Sequence, residues 1–193
     1  MTWILTHSGV KFDLINPRPE DVNIEDIAWA LSNICRFAGH TSRFYSVAEH
    51  SVYMSRVVPP DMANYALFHD AAEAYTGDII RPMKTKENSE REDKILSVIL
   101  ERFGILKPSS TMKAEVKIAD NRMLLTERLA LLPGYKGSPT WFPGFEGLEP
   151  FNIDMETRRI HISHGYSPYN AFLHQFKILE KIERESSKGG SNP

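Results

Sequence analysis

The stretch that most limits what this chain can become is Tyr65-Ala-Leu-Phe-His-Asp-Ala-Ala-Glu-Ala-Tyr-Thr-Gly-Asp78. Small and apolar residues run from Met62 to Tyr75, which predicts one continuous helix, and Gly77 supplies its stop. His69 and Glu73 are four apart and Asp70 and Glu73 three apart, so one helical face carries an imidazole and two carboxylates. Such charge is costly against a core unless something satisfies it, and a divalent metal would. The His69-Asp70 dipeptide is common by chance. What gives it weight is the rest of the set: His50 in Ser46-Val-Ala-Glu-His-Ser51 and Asp120 in Lys117-Ile-Ala-Asp-Asn121.

The surrounding elements follow from periodicity and breakers. Two short runs around Ser8-Gly9, within Trp3 to Leu14, predict a small β-hairpin. Ile24, Ile27, Ala28, Leu31 and Ile34 form one stripe of a helix from about Asn23 to Arg36. Ser46 with Glu49 three residues later has the pattern of a capping box, which puts His50 in the second turn of a helix reaching Val57. Pro82 turns the chain after Asp78. Helices are then expected over Ser89–Phe103 and Ser110–Leu132, the second with Val116, Ile118, Ala119, Met123, Leu124 and Leu129 inward and Asp120 among them. Residues 133–150, with Trp141, Phe142 and Phe145 among glycines and prolines, read as a long irregular loop over the site, at a subunit contact, or folded on the protein's own surface. Ser167-Pro168 opens a last helix to about Glu185, and 186–193 reads as a flexible tail.

Taken in order, Ile34-Cys-Arg-Phe37, Ser46–Ser51, His69–Asp78, Arg81-Pro-Met-Lys84 and the Asp120 segment resemble the HD superfamily of metal-dependent phosphohydrolases, in particular its small nucleotide-hydrolysing branch. The resemblance covers roughly residues 22–130 of a unit spanning 1–185. It implies an all-α HD-domain helical bundle, here with the small N-terminal β-hairpin. It also implies His50, His69, Asp70 and Asp120 as metal ligands, Glu73 and Asp78 as carboxylates at the reaction centre, and Arg36 and Lys84 as phosphate contacts. Glu73 could orient or deprotonate the attacking water, or protonate a leaving oxygen. Phe37, Trp29 or Trp141 could stack on a base.

Two imidazoles and two carboxylates suit Mn²⁺, Fe²⁺, Co²⁺, Ni²⁺ or Zn²⁺ better than Ca²⁺. After His69 the next histidine is His161, beyond the Asp120 segment. Two-metal members of the superfamily need further histidines in that interval, so the resemblance implies one metal. The expected reaction is attack of water at the α-phosphorus of a deoxynucleotide. The cations Arg81, Lys84 and Lys86 incline the reading toward dNTP, dATP foremost, cleaved to deoxynucleoside and triphosphate. The alternatives are a 5′-deoxynucleotidase acting on dNMP, and a non-catalytic nucleotide-binding protein. The compact chain and hairpin look more like phage-type members than the plain bacterial nucleotidase.

Composition sets outer limits. A net charge of −2 offers no global field for nucleic acid, so no stable nucleic-acid complex is expected. The single cysteine, Cys35, excludes an intrachain disulfide and reads as core. No apolar run approaches the length of a membrane span, and a cytoplasmic location (a host's, if phage-encoded) is expected. Homo-oligomerisation is expected from the resemblance alone.

Overall fold

Nine consecutive buried residues, Val47 to Ser55, make helix α2 (Val47–Val57) the axis of the molecule. The computed structural model describes residues 1–132, 134, 145, 147–153, 155 and 167–189. Around α2 pack α1 (Ile24–Asn33), α3 (Ala63–Phe68), α6 (Ser110–Leu131) and α7 (Pro168–Gly189). A four-residue helix, α4 (Glu73–Thr76), and α5 (Lys86–Arg102) complete the bundle. A helix buried on every side has few ways to carry polar groups, and α2 carries Glu49, His50, Ser51 and Ser55 inside. Each needs a partner there.

The hairpin forms as expected, β1 (Trp3–Leu5) pairing antiparallel with β2 (Lys11–Asp13) in the register Trp3↔Asp13 and Ile4↔Phe12. Gly9, at φ +86, closes its turn. Ser8 donates from both its backbone N–H and its hydroxyl to the buried Asp26 carboxylate, each at 2.7 Å, and so ties the hairpin to α1. Its inward residue Phe12 is fully buried and stacks on Tyr75 of α4 at 3.8 Å. The hairpin therefore braces the helix that carries Glu73. A second aromatic cluster joins Phe68, Phe103, Phe172 and Phe176 with ring centroids 5.2–6.0 Å apart. A fully buried Phe such as Phe68 or Phe172 contributes about 1.5–3 kcal/mol by leaving water.

Several boundaries differ from expectation for identifiable reasons. The helix expected from Met62 to Tyr75 is broken: α3 ends at Phe68, and His69–Ala72 turn before α4 begins. In an α-helix the Ala66 carbonyl would accept from the Asp70 N–H; here it accepts from His69 Nδ1 at 2.8 Å. The backbone then tightens, with Ala71 N–H on Phe68 O (2.8 Å) and Glu73 N–H on Asp70 O (3.0 Å). Three residues per turn eclipses i and i+3, which brings Asp70 and Glu73 into line. Helix α5 starts at Lys86 rather than Ser89, because Thr85 and Asn88 form a complete reciprocal capping box. Helix α1 stops at Asn33, since Ile34 O and Arg36 N–H bond to Val47 N–H and Tyr45 O across a one-residue bridge.

Candidate metal centre and its cleft

Three elements deliver four polar side chains to one point. His50 comes from the second turn of α2, where Ser46 Oγ accepts the Glu49 N–H at 3.1 Å as N-cap. His69 and Asp70 come from the tight turn after α3, and Asp120 from the middle of α6. His50 Nε2 is 3.3 Å from His69 Nε2, 3.5 Å from Asp70 Oδ2 and 3.5 Å from Asp120 Oδ1. Asp70 Oδ2 is 3.3 Å from His69 Nε2. Ligating atoms of His50, His69 and Asp120 all lie within 4.8 Å of one another, so these residues could hold a metal ion.

The donor set fits a divalent cation. His69 Nδ1 donates to Ala66 O, which in the neutral ring leaves Nε2 bare, and burial shifts the imidazole below its ordinary value, toward that neutral form. Burial works to raise the Asp120 carboxyl, but Lys117, then His50, His69 and Arg36, outweigh it and hold it well below the usual carboxylate range. Burial opposes ionisation of Asp70 too, and is outweighed by His69, His50 and Arg36. Neutral imidazoles and ionised carboxylates are the forms that bind metal.

Behind the cluster stands a carboxylate the sequence reading did not single out. Glu127 lies two turns beyond Asp120 on α6 and is 0 % exposed. It meets His50 Nδ1 at 2.5 Å, accepts from Tyr45 O–H at 2.8 Å, and takes Arg36 Nε and Nη2 at 3.2 and 3.1 Å. Burial would raise its carboxyl; Arg36 and His50 overcome that and keep it lowered. Arg36, the expected phosphate contact, is thus buried and forked onto Glu127, with Nη1 3.6 Å from Asp70 Oδ2. Phe37 follows it at φ +55 and Ala38 at φ +49, left-handed positions that cost a non-glycine residue about 1–2 kcal/mol. Phe37 is half-buried, with the Arg36 guanidinium 5.9 Å from its ring centroid.

A cleft of about 260 Å³ opens beside the cluster, between the His69–Glu73 segment, α5 and α6. Its lining includes His69, Asp70, Glu73, Lys84, Lys117 and Asp120, together with Lys113, Glu92 and Asp93. Glu73 is buried, its Oε2 without a hydrogen-bond partner among the described residues. Burial, then Asp70 and Asp78, push its carboxyl well above the ordinary range. Gly77 ends α4 at φ +79, ψ 160, a conformation essentially reserved for glycine, and sets the course of Asp78. Asp78 is half-buried and its carboxyl is raised, by burial above all.

The expected cations divide. Lys84 lines the cleft with its ammonium 2.5 Å from Glu92. Arg81 donates to Asp120 Oδ2 at 3.3 Å and to Asn121 Oδ1 at 2.7 Å. Lys86 is exposed and pairs with Glu90 at 3.5 Å, away from the cleft lining. Lys113 and Lys117, one turn apart on α6, take the place on the wall that the sequence reading gave to Lys86. Trp29 stacks on His7 at 4.1 Å and is not part of the lining. Of the aromatic loop, Phe145 is buried with the Arg81 guanidinium 5.5 Å from its ring centroid. Trp141, Phe142 and His161, residues 190–193 and most of 133–150 lie outside the described residues, while 186–189 of the expected tail continue α7 as helix.

A helical bundle in which two histidines and two aspartates converge from two helices and the turn between two others is the architecture of HD proteins, and an HD-domain family model matches residues 35–117. The chain belongs to the HD-domain family, whose usual chemistry is metal-dependent hydrolysis of phosphate compounds. It is 41% identical over 189 residues to the uncharacterized protein YfdR of Escherichia coli strain K12, covering 95% of this chain and 99% of that protein. An uncharacterized protein of Rhodobacter capsulatus is 36% identical over 132 residues, 61% of this chain and 67% of its own length. No helix among the described residues is long and apolar enough to cross a membrane.

Proposed function

We propose that this protein hydrolyses deoxynucleoside triphosphates at the α-phosphorus, releasing deoxynucleoside and triphosphate, with dATP the first substrate to try. The observation that supports a triphosphate is the cleft wall: Lys84, Lys113 and Lys117 line the same cavity as His69, Asp70 and Asp120, with Lys117 paired to Asp120 at 2.6 Å. A monophosphate needs cations at one point only, whereas a polyphosphate needs them along a path.

His50, His69, Asp70 and Asp120 would hold one divalent cation, which supplies Lewis acidity toward a phosphoryl oxygen and toward water. Glu73 is the group on the cleft suited to take a proton from the attacking water, being buried beside Asp70 and itself easily protonated. The new bond joins the water oxygen to the α-phosphorus and the bond to the 5′ oxygen breaks. That oxygen needs a proton, which Glu73 or Asp78 can return. Arg36 is not among the residues that line the cleft; paired with Glu127, it adds positive charge beside Asp70.

A 5′-deoxynucleotidase acting on dNMP is the second reading, and the Lys84–Glu92 and Lys117–Asp120 pairs favour it by neutralising two of the three cations. Kinetics of Lys113→Ala separate the two. The expected result is a KM for dATP raised about tenfold, the worth of one charge-assisted contact, with kcat little changed. A KM for dATP equal to wild type, with efficient cleavage of dAMP, would leave the monophosphate reading standing.

A further inference from the structure

We propose that Glu127 is the positioning residue of the metal centre, one buried carboxylate that fixes the His50 imidazole with Nε2 bare toward the ligand cluster while holding Arg36 beside Asp70. Oε1 of Glu127 receives the Tyr45 hydroxyl at 2.8 Å and meets His50 Nδ1 at 2.5 Å. Oε2 receives Arg36 through Nε and Nη2. An ionised carboxylate only accepts, so the hydrogen on that imidazole belongs on Nδ1. In the neutral imidazole that a cation would require, Nε2 then carries the lone pair, at 3.3–3.5 Å from His69, Asp70 and Asp120.

A fully buried carboxylate is expensive, and an apolar residue would fill the same space on α6 at lower cost. Neutralising Arg36 explains one of its two oxygens and leaves the His50 contact without a reason. A ligating histidine whose second nitrogen donates to a carboxylate is held in one tautomer and one orientation, and gains basicity at the ligating nitrogen. Asp120 and Glu127 share α6, seven residues apart, so a single helix supplies both a cluster carboxylate and the support for a histidine on α2. This inference rests on the metal reading of the cluster and not on which nucleotide is cleaved; failure to hydrolyse any nucleotide would leave it intact.

Two measurements test it, neither of them turnover. Imidazole ¹⁵N–¹H correlation spectra of the metal-free wild-type protein at neutral pH should show His50 protonated on Nδ1 with Nε2 bare; an Nε2–H tautomer would overturn the proposal. Titration calorimetry with Mn²⁺ should then compare Glu127→Gln with Tyr45→Phe, which perturbs the same buried carboxylate without touching His50. The expected loss of Mn²⁺ affinity is about 10–100-fold for Glu127→Gln, the cost of an outer-shell partner, and under about threefold for Tyr45→Phe. Equal losses in both variants would reduce Glu127 to a general packing role, and no loss in Glu127→Gln would remove it from the centre.

Discussion

Asp70→Ala should abolish Mn²⁺ binding and cut turnover by at least about 10³-fold, beyond the ~10–100-fold typical of losing an outer-shell partner. The reason is geometric. Asp70 Oδ2 lies 3.3 Å from His69 Nε2 and 3.5 Å from His50 Nε2, within the ring of atoms that would face the cation. The fold should survive, because Asp70 raises the proton affinity of the buried Glu73 through like charge, and the substitution relieves it. Arg36 loses a partner at 3.6 Å but keeps the Glu127 fork. Calorimetry with Mn²⁺, initial rates and far-ultraviolet circular dichroism report the three parts separately. Retained metal stoichiometry and rate in a folded Asp70→Ala protein would contradict the ligand set.

Glu73→Gln is expected to keep metal affinity within about threefold of wild type and lose about 10²–10⁴-fold in kcat, the range for removing a general base or acid. It should also make the metal-free protein more stable at neutral pH. Burial beside Asp70 and Asp78 raises the folded-state carboxyl above its unfolded value of about 4.3, so the folded chain binds more protons than the unfolded one and stability falls as pH rises through that range. Glutamine carries no such charge. Thermal melts of the two metal-free proteins should coincide under acid conditions and separate as pH rises, the variant melting higher. Undiminished turnover would remove Glu73 from the mechanism, and a lower melting point at neutral pH would refute the burial argument.

Much of this arrangement was legible in the chain. The hairpin, the Ser46 N-cap before His50 and the Ser167-Pro168 start of α7 are local patterns, and local physics formed them. The half of the Ser46 capping box that failed is informative: the Glu49 carboxylate pairs with Arg43 at 3.1 Å, a residue on a loop whose path no short motif records. The broken helix at His69 had a signal only in hindsight, since a side chain there competes with the backbone for one carbonyl.

Helix α6 shows where composition misled. Ile118 and Leu129 were expected inward for being apolar, yet they are 52 % and 50 % exposed. The buried stripe is Val116, Ala119/Asp120, Met123, Glu127 and Leu131, at spacings of three and four. Glu127 sits on that stripe, and position rather than residue type was the signal that would have found it. The same face leads back to Lys117 and Lys113, which line the cleft in place of Lys86. What joins α5, α6 and the His69 turn into one cavity is tertiary packing, and no window of sequence carries it.

The most direct test of the central claim is product analysis of the purified protein supplied with Mn²⁺, Co²⁺ or Zn²⁺. The assay offers dATP, dAMP, the other deoxynucleotides and their ribose counterparts, and chromatography identifies what is released. Deoxyadenosine and inorganic triphosphate from dATP, with no release of orthophosphate or pyrophosphate, is the expected result. Orthophosphate from dAMP with dATP untouched, or no hydrolysis of any nucleotide by metal-loaded protein, would contradict it.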